Sequence, residues 1–371
     1  MRKKLFWALA APVAAVVFTL VIASLALLAS GNSPFTAFRL MWTSSNSARN
    51  VVNILNGATA YYIAGIAVAL GFKMGLFNIG ADGQYRLGIV IAAAAGAELT
   101  LPAPLHVAAI MAVSVAVAMA WAAIPALLKV SRGVNEVIST IMLNAVATGF
   151  SAYLLANYFR VKNQLITQTK PLDRSAFIPP LNRFIGWFGY HFPKNVYLNG
   201  FLIGSLAVGV IYYLLVYRSR FGFDLRTSGV NPFAARSSGV HPKAMIVKTM
   251  LISGAFAGLI GIAPLLGDNQ YHQYSDTFPT GLAFTGIAIT LIGRNHPVGV
   301  ALAALLWSFL EVSTQVLSLH GIPQEIAQIM EGAMIVGVVV SYELVRRWRL
   351  VAVARETATR STSLTPAAVA S

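Results

Sequence analysis

The chain has 371 residues, 57% hydrophobic and only 11% charged, with 27 Lys and Arg against 12 Asp and Glu for a formal charge of +15. Soluble domains carry about 25% charged residues, so these charges cannot cover a soluble globular surface, and the hydrophobicity excludes disorder. The basic residues stand in short clusters between long apolar runs, the pattern of a polytopic membrane protein and not of a nucleic-acid-binding face, and the absence of cysteine excludes disulfides and thiolate chemistry.

Crossing the hydrocarbon core takes about 20 apolar residues, and about ten segments read as transmembrane helices in an all-α chain. They lie at 5–29, 51–72, 84–101, 105–128, 136–158, 199–217, 245–267, 281–293, 298–318 and 325–345. The first follows Arg2, Lys3 and Lys4 in the manner of a signal peptide. Its apolar run is too long for a signal-peptide core, so it reads as a retained span. The segment 281–293 is short and reads as a broken or re-entrant helix. Placing both termini in the cytoplasm puts most Lys and Arg on the inner side, as the positive-inside rule requires. The outer basic residues fall mostly in one long loop, 159–198, where that rule is weak. Residues 1–350 therefore read as one membrane domain and 351–371 as a mobile cytoplasmic tail. No P-loop, HExxH or close histidine pair occurs. The chain is therefore expected to hold no metal or nucleotide of its own and to catalyse no reaction.

Polar residues inside spans are costly and invite a reason. In chain order, the first cluster is Gly71 to Gln84, where glycines, Asn78 and Asp82 interrupt two apolar runs. It reads either as a broken helix beside a translocation path or as a cytoplasmic turn with Asp82 capping the next helix. The second runs from Ser131 to Asn144. Asn135, Ser139 and Met142 share one helical face, and Glu136, Thr140 and Asn144 share the next. That stripe lines a pore or bonds a neighbouring helix, and Glu136 alternatively complements the helix dipole. The third is the cytoplasmic loop 218–244. Asn231 followed by Pro232 is a helix-start signal, and Gly239 and Pro242 are stops. The short helix between them offers the small Ala234 and Ala235 to a protein partner, or rests on lipid headgroups. In 246–266, Gly254 and Gly258 form a GxxxG packing face. In 281–299, Thr285 and Thr290 line a path or bond their own helix.

Five strings in order resemble the permease subunits of ATP-binding-cassette importers, in the simple-sugar and nucleoside branch related to branched-chain amino-acid and ribose permeases. They are Phe77-Asn-Ile-Gly-Ala-Asp-Gly-Gln84, Gly133-Val-Asn-Glu-Val-Ile-Ser-Thr-Ile-Met-Leu-Asn144, Asn231-Pro-Phe-Ala-Ala-Arg-Ser-Ser-Gly239, Ser253-Gly-Ala-Phe-Ala-Gly258 and Gly286-Ile-Ala-Ile-Thr-Leu-Ile-Gly-Arg-Asn-His-Pro297. The family usually has Glu where this chain has Asp82. The resemblance covers residues 50–345. It implies a type II, vitamin B12-importer-like architecture in a prokaryotic inner membrane. Two permease chains, as a heterodimer, would enclose the path. ATPase subunits carrying ATP and magnesium would dock below, and an external substrate-binding protein would deliver solute. The helix at Asn231, Pro232, Ala234, Ala235 and Gly239 would correspond to the coupling helix. The aromatic, basic loop 159–198, with Trp187, Phe188, Tyr190, Phe192 and Tyr197 near Arg183 and Lys194, would meet the binding protein or lie on the lipid surface.

A neutral nucleoside or sugar suits a path of amides and hydroxyls, which both donate and accept. The path candidates are Asn78, Asp82, Gln84, Asn135, Glu136, Ser139 and Asn144. The alternative is a secondary transporter in which Asp82, Glu136 or Glu311 couples ion flow.

Overall fold

The computed structural model describes residues 2–187, 189, 192–267, 271–323, 325–326, 328–338, 340–341, 344–345 and 347–348, with side chains from residue 14 onward. The 351–371 tail, Phe188 and Tyr190 lie outside the described residues. In chain order the helices are α1 (Arg2–Ala29), α2 (Pro34–Ser45), α3 (Ala48–Lys73), α4 (Ala81–Gly96), α5 (Ala103–Arg132), α6 (Glu136–Leu154), α7 (Asn182–Gly186), α8 (Phe201–Tyr213), α9 (Arg220–Val230), α10 (Pro232–Ser237), α11 (Pro242–Gly258), α12 (Leu282–Ile292) and α13 (Pro297–Leu319), followed by α14 (Gln328–Val338). Turns of π-helix extend α6 through Phe159 and α8 through Arg218. No strand forms among the described residues, apart from the isolated bridge of Gln168 with Ser275.

Every segment expected to span contains a helix, but the lengths divide them. Six helices are long and apolar enough to cross a membrane: Ala48–Lys73, Ala103–Arg132, Glu136–Phe159, Phe201–Arg218, Pro242–Gly267 and Pro297–Leu319. α4 has 16 residues and α12 has 11. At 1.5 Å per residue they are about 24 and 16 Å long, short of a hydrocarbon core of about 30 Å. The first segment is also not a plain rod. After Gly31, at φ +76°, the chain enters α2, which is bent by 116° from residues 14–29.

Two compact units form, one from residues 1–43 and 313–371 and the other from 44–312. Within the first, α14 lies close on α1, since a Cβ on Gly337 would meet the Phe18 ring at 2.9 Å and the Ala15 carbonyl at 3.1 Å. In the second, α3 is the central element, its run from Ile63 to Leu70 buried on all sides. A helix apolar all round belongs at the centre of a bundle. α12 packs on it so tightly that a Cβ on Gly286 would sit 2.7 Å from the Ala64 carbonyl carbon. α6 instead leaves Ile138, Ile141, Met142, Val146, Phe150 and Tyr153 exposed, an apolar face turned outward to lipid or another chain.

The GxxxG pair faces α5. A Cβ on Gly254 would lie 2.6 Å from the Ala122 methyl, and one on Gly258 would lie 2.8 Å from the Ser114 carbonyl. Ser114 Oγ donates to the Gly258 carbonyl at 2.6 Å. Gly258→Val therefore overpacks this crossing, and a loss of about 1–3 kcal/mol is expected. A melting temperature in detergent equal to that of the wild type would contradict this packing.

The segment 159–198 is tied down at several points. The amides of Thr169, Leu172 and Ile178 donate to the carbonyls of Tyr274, His272 and Leu266. His106 meets Ser175 Oγ at 2.7 Å and the Gly96 carbonyl at 2.9 Å. Val52, Val196 and Leu198 form a small core that collects Leu181, Ile185 and Phe192. Trp187 remains 76% exposed, and Arg183, Lys194 and Tyr197 are exposed too.

Candidate translocation and coupling sites

The break between α3 and α4 is built from glycine and amides. α3 stops at Lys73, and Gly75 takes φ +75°. The chain then folds back over Gly71, where a Cβ would meet the Leu76 carbonyl oxygen at 2.8 Å. Asn78, fully buried, joins Gln84 through a reciprocal amide pair of 3.0 and 3.1 Å. Asn78 Nδ2 also donates to Ser253 Oγ on α11 at 2.9 Å, and that hydroxyl donates to the Ala67 carbonyl of α3 at 2.7 Å. Ala67 lies about 9 Å from the end of α3 at 1.5 Å per residue. The segment therefore climbs back into the bundle before α4 begins, with its polar groups paired inside the protein, as irregular backbone at that depth requires.

α4 has no side-chain cap of its own. Its N-cap is Gly80, so Asp82 is not the cap and sits in the first helical turn. Asn144 of α6 takes over that role. Its Oδ1 accepts from the Gly83 amide at 2.9 Å and its Nδ2 donates to the Ile79 carbonyl at 2.8 Å. This satisfies one of the four amides that open every helix. Asp82 is only 3% exposed. Its Oδ2 lies 3.4 Å from the Arg86 guanidinium one turn on.

At the start of α6, the exposed Asn135 is the N-cap, accepting from the Val137 amide at 2.8 Å. Glu136 pairs with Lys129 Nζ at 2.5 Å. Ser139 and Thr140 both donate to the Glu136 carbonyl. The stripe is thus split. Asn144 joins the Asn78–Gln84 region through the start of α4, Asn135, Glu136 and Ser139 stay at the helix entrance, and Met142 points outward.

α10 is set by local chemistry. Asn231 Oδ1 accepts from the amides of Phe233 and Ala234 at 2.9 and 3.1 Å, Pro232 takes the first helical position, and Gly239 follows the last turn at φ +79°. Of the two alanines offered as a partner surface, Ala235 is fully buried and only Ala234 is exposed. The Ala235 carbonyl accepts from the amides of Ser238 and Val240, which close the turn after α10. α9, which precedes α10, was not read from the sequence. Ser219 caps it, accepting from the Gly222 amide at 3.1 Å. Phe223, Arg226, Thr227, Val230, Asn231 and Ala234 line a recess of about 360 Å³ between the two helices. Val230 and Phe233 stand 89% and 79% exposed beside it.

Sequence reasoning also missed Ser253 as the hub of the Asn78 network, and Arg86 and Lys129 as partners of the two carboxylates. Arg86 carries a local signal, four residues after Asp82 on one helix face. The Ser253 contacts reach across 175 and 186 residues and carry none.

Residues 50–339 match the family model described as branched-chain amino acid transport system / permease component. The chain belongs to this permease family. Among curated proteins, this permease is 33% identical over 338 residues to the guanosine ABC transporter permease protein NupP of Bacillus subtilis, covering 90% of this chain and 93% of the relative. It is 32% identical over 342 residues to the glucose ABC transporter permease protein TsgB13 of Haloferax volcanii, with 91% and 89% covered. It is 28% identical over 333 residues to the nucleoside ABC transporter permease protein NupB of Lactococcus lactis, with 89% and 90% covered. No solved structure gives a significant match. Family and apolar helices together make this a multi-pass membrane permease.

Proposed function

We propose that the permease carries nucleosides or related sugar-bearing solutes inward as one subunit of an ATP-driven, binding-protein-dependent importer in a prokaryotic inner membrane. The observation that carries this reading is the α9–α10 surface. A short helix capped by Asn231, with bare Val230 and Phe233 at a recess, suits an ATPase subunit that holds ATP and magnesium. The chain would then have no nucleotide chemistry of its own. Nucleosides and sugars share hydroxyl-bearing rings, the common feature of what the named relatives carry. The three carboxylates that an ion-coupled transporter would use are each engaged, Asp82 by Arg86, Glu136 by Lys129 and Glu311 by the Tyr61 hydroxyl at 2.7 Å. This supports the ATP-driven reading.

In this scheme about ten spans adopt the type II arrangement, with α4 and α12 crossing only part of the bilayer thickness of about 30 Å. The apolar outer face of α6 meets a second, unlike permease chain along the path, with lipid around both. Asn78, Asp82, Gln84, Asn135, Glu136, Ser139 and Asn144 stand beside that path and hold its wall in shape. The external substrate-binding protein docks on loop 159–198. Exposed aromatic and Arg side chains are typical anchors of an interface, so Trp187→Ala with Arg183→Glu should weaken docking by about 2 kcal/mol, roughly 30-fold. An unchanged Kd by surface plasmon resonance would remove the loop from that interface.

Substrate class is tested by ATP-dependent uptake of labelled guanosine into proteoliposomes carrying both permeases and the ATPase, with the binding protein outside. Competition by excess unlabelled nucleosides is the expected result. Uptake of glucose with none of guanosine would overturn the nucleoside choice.

A further inference from the structure

α12 is a half-length rod gripped at both ends. At its start, Gly281 takes φ +76° and the Tyr85 hydroxyl of α4 donates to the Pro279 carbonyl at 2.6 Å. The backbone amides of Gly281 and Ala283 at that start face the buried Asp82 carboxylate. A helix start carries partial positive charge, so carboxylate and helix attract.

At the other end, Arg294 and Asn295 both take positive φ, 57° and 55°, in the turn to α13. Two successive non-glycine residues in that region are uncommon and are held by their surroundings. Here the Asn295 carbonyl accepts from the Tyr212 hydroxyl at 2.9 Å and from the Tyr217 hydroxyl at 3.4 Å, and the His296 ring centroid lies 5.8 Å from that of Tyr217. The Tyr217 ring is flanked by two cations, Lys73 Nζ at the end of α3 at 5.3 Å and the Arg226 guanidinium of α9 at 5.7 Å. Both distances are within cation–π range. Arg226 also donates to the Val216 carbonyl, and α9 runs into α10 at Asn231. Between its ends α12 rides on α3, with Gly286 against Ala64 and Thr290 Oγ1 donating to the Gly65 carbonyl at 2.6 Å.

We propose that α12 transmits displacement of α9–α10 to the Asp82 junction inside the bundle, with Tyr217 as the positioning residue that links them. The importer reading supplies what moves α10, and the proposal rests on it. Dense packing lets a helix shift as a body. Tyr217 touches α9, the end of α3 and the α12–α13 turn together. The far end would feel such a shift, because the Asp82 carboxylate lies between Arg86 of α4 and the amides of Gly281 and Ala283 that open α12, and helices in switching proteins move by about 1–2 Å.

The test compares ATP hydrolysed per solute imported in proteoliposomes holding the full complex with Tyr217→Leu, Tyr217→Phe and Tyr212→Phe. Leucine keeps apolar bulk and removes the ring, so the ratio should rise about fivefold or more, the lower range of ordinary coupling energies. Phenylalanine at 217 keeps the ring near both cations but loses the hydroxyl that reaches the Asn295 carbonyl, so its ratio should lie between those of the wild type and Tyr217→Leu. Tyr212→Phe, a one-atom change that preserves packing, should raise the ratio in the same direction.

Because the chain has no cysteine, spin labels on Phe284→Cys of α12 and Met142→Cys of α6 give a direct second reading. ATP should shift their distance distribution, and Tyr217→Leu should abolish the shift. Coupled wild-type uptake with an unchanged ratio in Tyr217→Leu, or a label shift that survives it, overturns the rod while leaving the importer intact. A wild-type complex without ATP-driven uptake overturns the importer reading and the rod with it.

Discussion

Asn144→Leu is expected to lower stability by about 2–5 kcal/mol and to deplete the assembled complex, because each buried backbone group left unpaired costs about 1–3 kcal/mol. Leucine is close to asparagine in size, but it can neither accept from the Gly83 amide nor donate to the Ile79 carbonyl. Both groups lie at the start of α4, which has no side-chain cap of its own. Losing the contact therefore loosens the junction of α4 with α6 and the re-entrant segment before it. Asn144→Asp keeps the acceptor to Gly83 and should lose less. Thermal unfolding of the purified chain and the yield of assembled complex both read this. A fully stable Asn144→Leu complex that fails only in transport would instead make Asn144 a contact of the solute.

Ala234→Glu should break the link between ATP hydrolysis and uptake. Ala234 is exposed on α10, at the rim of the recess lined by Phe223 and Val230. A carboxylate trapped there under a docked subunit would be desolvated at a cost of about 3 kcal/mol or more, roughly a hundredfold in docking affinity. The fold should tolerate the change, since Ala234 is exposed and borders open space at the recess. Ala235→Glu is the contrasting variant. Ala235 is fully buried, so a carboxylate there should destabilise α10 itself. Co-purification of the ATPase separates the two: Ala234→Glu should stay folded and lose the ATPase, and normal coupled uptake in it would remove α10 from the docking surface.

Local chemistry was the most legible part of this permease. Asn231, Pro232 and Gly239 place α10 because caps, the first helical proline and a left-handed glycine act within a few residues. The apolar runs located the long helices for the same reason. Helix ends were less legible. The expected span runs on to residue 101, yet α4 ends at Gly96, where Ile110 and Leu172 crowd Gly96 and His106 bonds its carbonyl. The bend into α2 is set by one turn at Gly31, and an apolar profile does not register direction.

The polar clusters were found as residues but not as partners. Composition marks Asn78, Gln84 and Asn144 as costly inside a span, whereas their bonds to Ser253, Gly83 and Ile79 depend on helices brought together by packing. Once those bonds are seen, the three amides act first as fasteners of the broken α3–α4 connection, and the outward face of α6 is apolar.

The most direct test of the central claim is solute uptake in proteoliposomes assembled with and without the ATPase. Labelled nucleoside should accumulate only when ATPase, second permease, binding protein and ATP are all present, and an imposed proton or sodium gradient should not replace ATP. Accumulation driven by an ion gradient through this chain alone would contradict the account and return Asp82, Glu136 and Glu311 to the role of coupling carboxylates.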